Sequence, residues 1–222
     1  MINIDFIHIE PNKPEINNKV VPAARKLMEY KEHFDVISDG LSGINRFSVW
    51  EERFEAWKKA NVTAPAEIFD IIERLLRQIN NEKVFNDVRG AILEKVVEYS
   101  VGPRFNKPTC KKNSGCSVKI NHSNIPTDPT ITKKAVDYAA FDSAILVAEF
   151  YECKSHPQTF EEDNIRLFRN IGSNLSSTEI KDVMLGCVSY HNKRSMLREL
   201  KDRKKYDVTG ITVIGKDELK SL

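Results

Sequence analysis

The stretch AVDYAAFDSAILVAEFYECK, residues 135–154, decides the reading of this chain. It reads as two β-strands, over residues 135–141 and 145–153, joined by a short turn. The second strand ends in Glu152-Cys153-Lys154. Residues two apart in a strand project from one face. The spacing therefore sets the Glu152 carboxylate beside the Lys154 ammonium. An Asp of the preceding strand, Asp137 or Asp142, would face them across the hairpin. Two carboxylates and a lysine at a strand end make a hard-cation site with a cationic neighbour. That arrangement suits metal-assisted hydrolysis of a phosphodiester.

Upstream of the hairpin, residues 84–99 carry Val84, Val88, Ile92, Val96 and Tyr99 at helical spacing. Gly90 inside that helix predicts a close packing contact. Residues 101–131 are polar and predict a long loop, or an excursion with a short hairpin. Downstream, residues 160–175 read as an amphipathic helix and DVMLGCVSY, residues 182–190, as a buried strand. Residues 195–204 read as a basic helix, 208–214 as a last strand and 216–222 as a terminal turn. This order predicts an α/β fold, a mixed central sheet flanked by helices. The chain before residue 84 reads as mainly helical after the strand-like INIDFIHIE. Its helices are expected at 20–33, from a Ser48–Glu51 capping box through Lys59, and at 66–79. The expected division is a helical region, 1–83, and a core, 84–222.

The 222 residues are 41% hydrophobic and 30% charged, with a net charge of +2, ordinary for a globular chain. Such a charge neither demands nor excludes nucleic acid, but the basic residues cluster around 104–134 and 194–205. No signal peptide is read in Met1–Glu10, which carries Asp5 and Glu10 before Pro11, and no apolar run spans a bilayer. Cys153 and Cys187 read as buried small hydrophobes, and a cytoplasmic location is expected. Cys110-x5-Cys116 with His122 lacks the tighter spacing of zinc sites, so those cysteines read as free thiols in a loop. There is no Gly-rich phosphate loop.

The helix-strand-strand-helix-strand order, with Asp on one strand and Glu-x-Lys on the next, resembles the PD-(D/E)XK nuclease superfamily of restriction-endonuclease-like enzymes. The resemblance covers about residues 84–214 and rests on three pieces. These are Gly90-x-x-x-Glu94 on the preceding helix, Asp137 on the first strand and Glu152-Cys153-Lys154 on the second. The Pro of a literal Pro-Asp is absent, since Val136 precedes Asp137. The superfamily's hairpins point to Asp137 over Asp142, and Asp142 falls where the turn should be. Glu149 falls on the opposite face from Glu152 and reads as structural.

The resemblance implies a metal-dependent nuclease acting on nucleic acid, DNA foremost, in restriction or phage defence as a subunit of a larger system. It implies that Asp137, Glu152 and the Cys153 carbonyl bind Mg²⁺ or Mn²⁺, with Glu94 completing the shell. Lys154 would position or deprotonate water, or stabilise the pentavalent phosphorus. Arg104, Lys111, Lys112, Lys133, Lys134 and His156 are the expected phosphate contacts. The apolar stripes of the N-terminal helices offer a homodimer or partner surface. The competing reading is an inactive module on the same fold that binds nucleic acid or scaffolds a partner.

Overall fold

One mixed sheet organises the computed structural model, which describes residues 2–9 and 13–222. Glu10 and Pro11, used above against a signal peptide, lie outside the described residues. The strands are β1 (Ile4–His8), β2 (Cys110–Ile120), β3 (Ser123–Ile125), β4 (Val136–Asp142), β5 (Val147–Cys153), β6 (Asp182–Val188) and β7 (Thr212–Ile214). The sheet runs β1-β2-β4-β5-β6-β7, with β3 beside β2. Pairings from β1 to β5 are antiparallel, and β5-β6 and β6-β7 are parallel. Parallel pairs need crossovers, and helices supply them.

The helices are α1 (Pro14–Leu27), α2 (Phe34–Gly43), α3 (Trp50–Ala60), α4 (Ala66–Leu76), α5 (Glu82–Val101), α6 (Glu162–Ser176), α7 (Lys193–Leu197) and α8 (Lys216–Leu219), of which α6 and α7 lie in the two crossovers. The fold is thus α/β with a mixed sheet flanked by helices and a helical N-terminal region, as expected. Among the described residues, no helix is long and apolar enough to cross a membrane.

Two buried clusters cover the two faces of the sheet. On one, α1, α4 and α5 pack over Tyr138, Ala140, Tyr151 and Cys153. On the other, Phe168 and Ile171 of α6 pack with Ala139, Phe141, Ala148 and Phe150. Neighbouring residues of β4 and β5 point to opposite clusters, which is why both strands read as near-continuous apolar runs. The stripe of α4, Ile68, Ile72, Leu75 and Leu76, is spent inside the first cluster, so it is core and offers no free interface. The N-terminal segment and the rest share that core, and β1 joins the sheet.

Local chemistry explains the helix starts, with some corrections. The side chain of Asn81 caps α5 by accepting from Val84 N–H at 2.9 Å. Ser48 does not cap α3. The chain makes a 3₁₀ turn over Phe47–Val49 first, and Val49 takes the cap position without a side-chain bond. The helix expected over 20–33 begins earlier, at Pro14, and passes into a 3₁₀ segment kinked at Tyr30. Gly90 makes no close contact: a Cβ there would meet nothing within 4 Å. It opens onto a cleft instead.

The 101–131 segment holds β2, a long strand inside the sheet, so Cys110 and Cys116 lie on a strand and not in a loop. Only residues 116–120 of β2 pair with β1. Among the described residues the 110–114 half has its ladder to β4 alone, which leaves Lys111 and Lys112 exposed and hides the strand pattern.

Gly215 sits where β7 meets the loop after β6. A Cβ there would lie 2.3 Å from Lys193 N and 2.7 Å from His191 O, both backbone atoms. A side chain cannot rotate away from backbone. Gly215→Ala should therefore destabilise the fold by about 2 kcal/mol or more, a fall in Tm on the order of 4–8 °C. Thermal unfolding of the variant beside the parent checks this.

Candidate active site

The β4-β5 register sets Tyr138 opposite Tyr151. Carried one residue further, it sets Asp137 opposite Glu152 at the strand ends. Lys154 Nζ stands 2.5 Å from Glu152 Oε1, the adjacency that the period of two predicts. Asp137 Oδ2 accepts the Cys153 N–H at 2.6 Å. Both carboxylates are buried, Glu152 at 1% exposure and Asp137 at 5%. Asp142 does something else: it accepts from Ala144 N–H and the Thr109 hydroxyl, each at 2.9 Å, and shapes the turn. The geometry thus brings Asp137, and not Asp142, to Glu152.

Two groups on Glu152 escaped the sequence reading. Lys133 Nζ lies 3.1 Å from Glu152 Oε1 and 3.9 Å from Asp137 Oδ1, so it belongs to the site and not to an outer phosphate contact. Asn164 Nδ2 donates to Glu152 Oε1 at 2.9 Å. Its Oδ1 accepts from Glu161 N–H at 2.7 Å, as half of the capping box that opens α6. Glu161-x-x-Asn164 departs from the usual Ser/Thr-x-x-Glu/Gln capping signature, and its second partner lies twelve residues back on β5, so neither contact was legible in the sequence. Asn164→Ala should leave the chain folded and lower any metal-dependent activity about 10–100-fold, as for groups that orient a metal-binding carboxylate. Turnover of the variant, paired with its circular dichroism, checks this.

Burial, and next the Asp137 charge, push the Glu152 carboxyl up to about 7. The two lysines pull the other way and lose. Burial opposes charge on Lys154, but the Glu152 and Asp137 carboxylates outweigh it and raise its pKa. The same balance raises Lys133. Both lysines are therefore held as ammonium ions. Burial lifts the Cys153 thiol well above its usual range, with Asp137 adding to it, so that cysteine is an inert core group.

The strand ends open into a cleft of about 520 Å³ between α1, α5 and β2. Asp137, Lys154 and Glu94 all line it. Gly115 lines its far wall with φ of +53°. It interrupts the β2-β4 register opposite Asp137, where only Ser114↔Tyr138 and Cys116↔Val136 pair on either side. Glycine takes that left-handed φ without the steric cost a side chain would carry. Among the described residues, no three His, Cys, Asp or Glu side chains form a ready-made metal-holding group. Glu94 lines the same cleft, and Lys133 and Lys154 stand on Glu152.

The other candidate residues scatter. Arg104 pairs with Glu149 at 2.7 Å, and Glu149 also accepts the Tyr151 hydroxyl at 2.6 Å. Glu149 is structural, as its parity predicted. Lys111 binds Asp5 at 2.6 Å, and Lys112 donates to the Gly102 carbonyl. Lys134 donates to the Ile131 carbonyl. His156 packs edge-on against His191, with ring centroids 4.5 Å apart.

No family model matches the chain, and no curated protein matches it. Among solved structures the chain is similar to protein VC1899 from Vibrio cholerae, with a TM-score of 0.50 and 14% identity. The likeness covers 99% of this chain and 56% of that one, so the chain spans little over half the length of its structural neighbour. At that identity the likeness shows the fold alone.

Proposed function

We propose that the chain is a metal-dependent nuclease of the PD-(D/E)XK kind, hydrolysing phosphodiester bonds in nucleic acid, DNA foremost. The observation that carries the reading is the buried Asp137–Glu152 pair with Lys154 Nζ at 2.5 Å from Glu152, at the mouth of an open cleft. The donor set fits Mg²⁺ or Mn²⁺, since it is all hard oxygen and would leave room for the waters these ions keep. Lys133 and Lys154 stand on Glu152, and Asp137 and Glu94 line the cleft beside them.

Asp137, Glu152 and the Cys153 carbonyl would hold the ion, with Glu94 directly or through water. The ion would supply Lewis-acid polarisation and a water of lowered pKa. Lys154, kept protonated by its carboxylate neighbours, suits stabilising charge on the phosphorane better than taking a proton from water. Lys133 adds a second fixed positive charge beside Glu152. Asn164 holds the Glu152 carboxylate in one orientation.

The test is incubation of purified protein with plasmid, linear duplex and single-stranded DNA and RNA, with Mg²⁺, with Mn²⁺ and with EDTA. Metal-dependent cutting is expected. Absence of cutting on every substrate by the intact chain would favour the inactive-module reading.

A further inference from the structure

The basic residues nearest the candidate site in sequence are engaged. Arg104 and Lys111 hold carboxylates, Lys112 and Lys134 hold carbonyls, and Lys133 sits on Glu152. A nucleic-acid strand needs cations with no internal partner, because neutralising phosphates is what drives its binding. Such cations stand on α7 and on its continuation, Arg198–Arg203, where the helix widens into π geometry. Arg194, Arg198 and Lys201 are exposed there and have no ion-pair partner among the described residues. All three line one open groove, which places them on a common face. Glu199 is taken up by Arg203 at 3.2 Å, and Asp202 and Asp217 are the acids that line the groove beside the stripe. Insertions of this wide-turn kind recur at functional sites.

The helix is tied to the catalytic strand at both ends. Lys154 N–H donates to Val188 O at 2.9 Å, so β5 and β6 finish side by side. Past those ends His156 meets His191, just before α7. At the far end Lys204 Nζ donates to Gln158 O at 2.7 Å and Phe160 O at 2.6 Å. The helix therefore lies along the segment that leaves Lys154. From Lys193 to Arg203 it runs for eleven residues, 5 in α and 6 in π geometry, long enough to meet more than one phosphate.

We infer that the Arg194–Arg198–Lys201 stripe is the phosphate-backbone track of this protein, holding the strand whose scissile phosphate enters the Asp137–Glu152 cleft. The inference rests on the nuclease reading for its substrate class. Phosphate contacts of this sort set affinity and register and carry no base identity.

The experiment measures fluorescence anisotropy of labelled DNA and RNA oligonucleotides, single-stranded and duplex, in EDTA and in Ca²⁺. The R194A/R198A/K201A variant should bind about tenfold or more weakly at ~0.1 M salt, and its slope of log affinity against log salt should shrink by about 2–3. The K31A/K58A/K59A variant loses the same charge from exposed positions on the N-terminal helices and should bind as the parent does. Equal affinity and slope for R194A/R198A/K201A, equal weakening in the control, or no binding by the parent on any oligonucleotide would each overturn the inference. Cutting is scored separately. If the parent binds through the stripe but never cuts, the nuclease reading falls and the track stands. If the parent cuts and the stripe variant cuts with unchanged KM, the track falls and the nuclease stands.

Discussion

Lys154→Ala should abolish metal-dependent cleavage, with turnover down on the order of 10³-fold or more, while the chain stays folded. The side chain is partly exposed at the cleft mouth and contributes no apolar core, so its loss leaves both buried clusters intact. Glu152 would still keep Lys133 at 3.1 Å and Asn164 at 2.9 Å, which spares it an unpaired buried charge. Glu152→Gln should lose activity to a similar degree, because the amide keeps the shape and removes a charged oxygen donor. The plasmid assay in Mg²⁺ and Mn²⁺, run beside circular dichroism of each variant, reads both effects. Normal cutting by either variant would remove that residue from the chemistry.

The second large effect is the pH dependence of metal binding. Burial and the facing Asp137 lift the Glu152 carboxyl up to about 7, so below that pH a cation must displace a proton. Mn²⁺ affinity should fall about tenfold for each pH unit below 7 and level off above it. The apo protein should show the reverse trend in stability. A carboxyl whose pKa is raised by folding binds its proton more tightly when folded. Its contribution is therefore full below its ordinary value of 4.5 and is lost as pH rises through about 7. Apo Tm should fall between about pH 5 and about pH 8, and Mn²⁺ should restore more of it at the higher pH. Glu152→Gln should flatten both curves. Calorimetric titration with Mn²⁺ across that range, with parallel thermal melts, decides it. A pH-independent Mn²⁺ affinity in the parent would mean that Glu152 is not a ligand.

Much of this site was legible along the chain because its core is local. Glu152 and Lys154 are two residues apart on a strand, and the period of two alone sets them together. The hairpin turn at Asp142-Ser143 was legible for the same reason, as was the structural role of Glu149 on the other face. The strand and helix order downstream of residue 135 followed from apolar runs of the right length. These features depend on neighbours within a few residues, which periodicity and turn chemistry report.

What the tertiary structure alone decided involves partners distant in sequence. Lys133 and Asn164 converge on one oxygen of Glu152 from a loop and from a helix start, and no spacing rule links them. The gap in the ladder at Gly115, the pairing of Arg104 with Glu149 and the placement of β2 inside the sheet depend on which strands lie side by side. In β2 the signal was also masked, because a half-strand paired on one side only keeps polar residues facing water. The sequence by itself determined the hairpin, its Glu-Lys pair and the α/β order. The second lysine on Glu152 and the unpaired cations of α7 and its continuation emerged only when the chain was packed, since a charge's partner is set by distance in space.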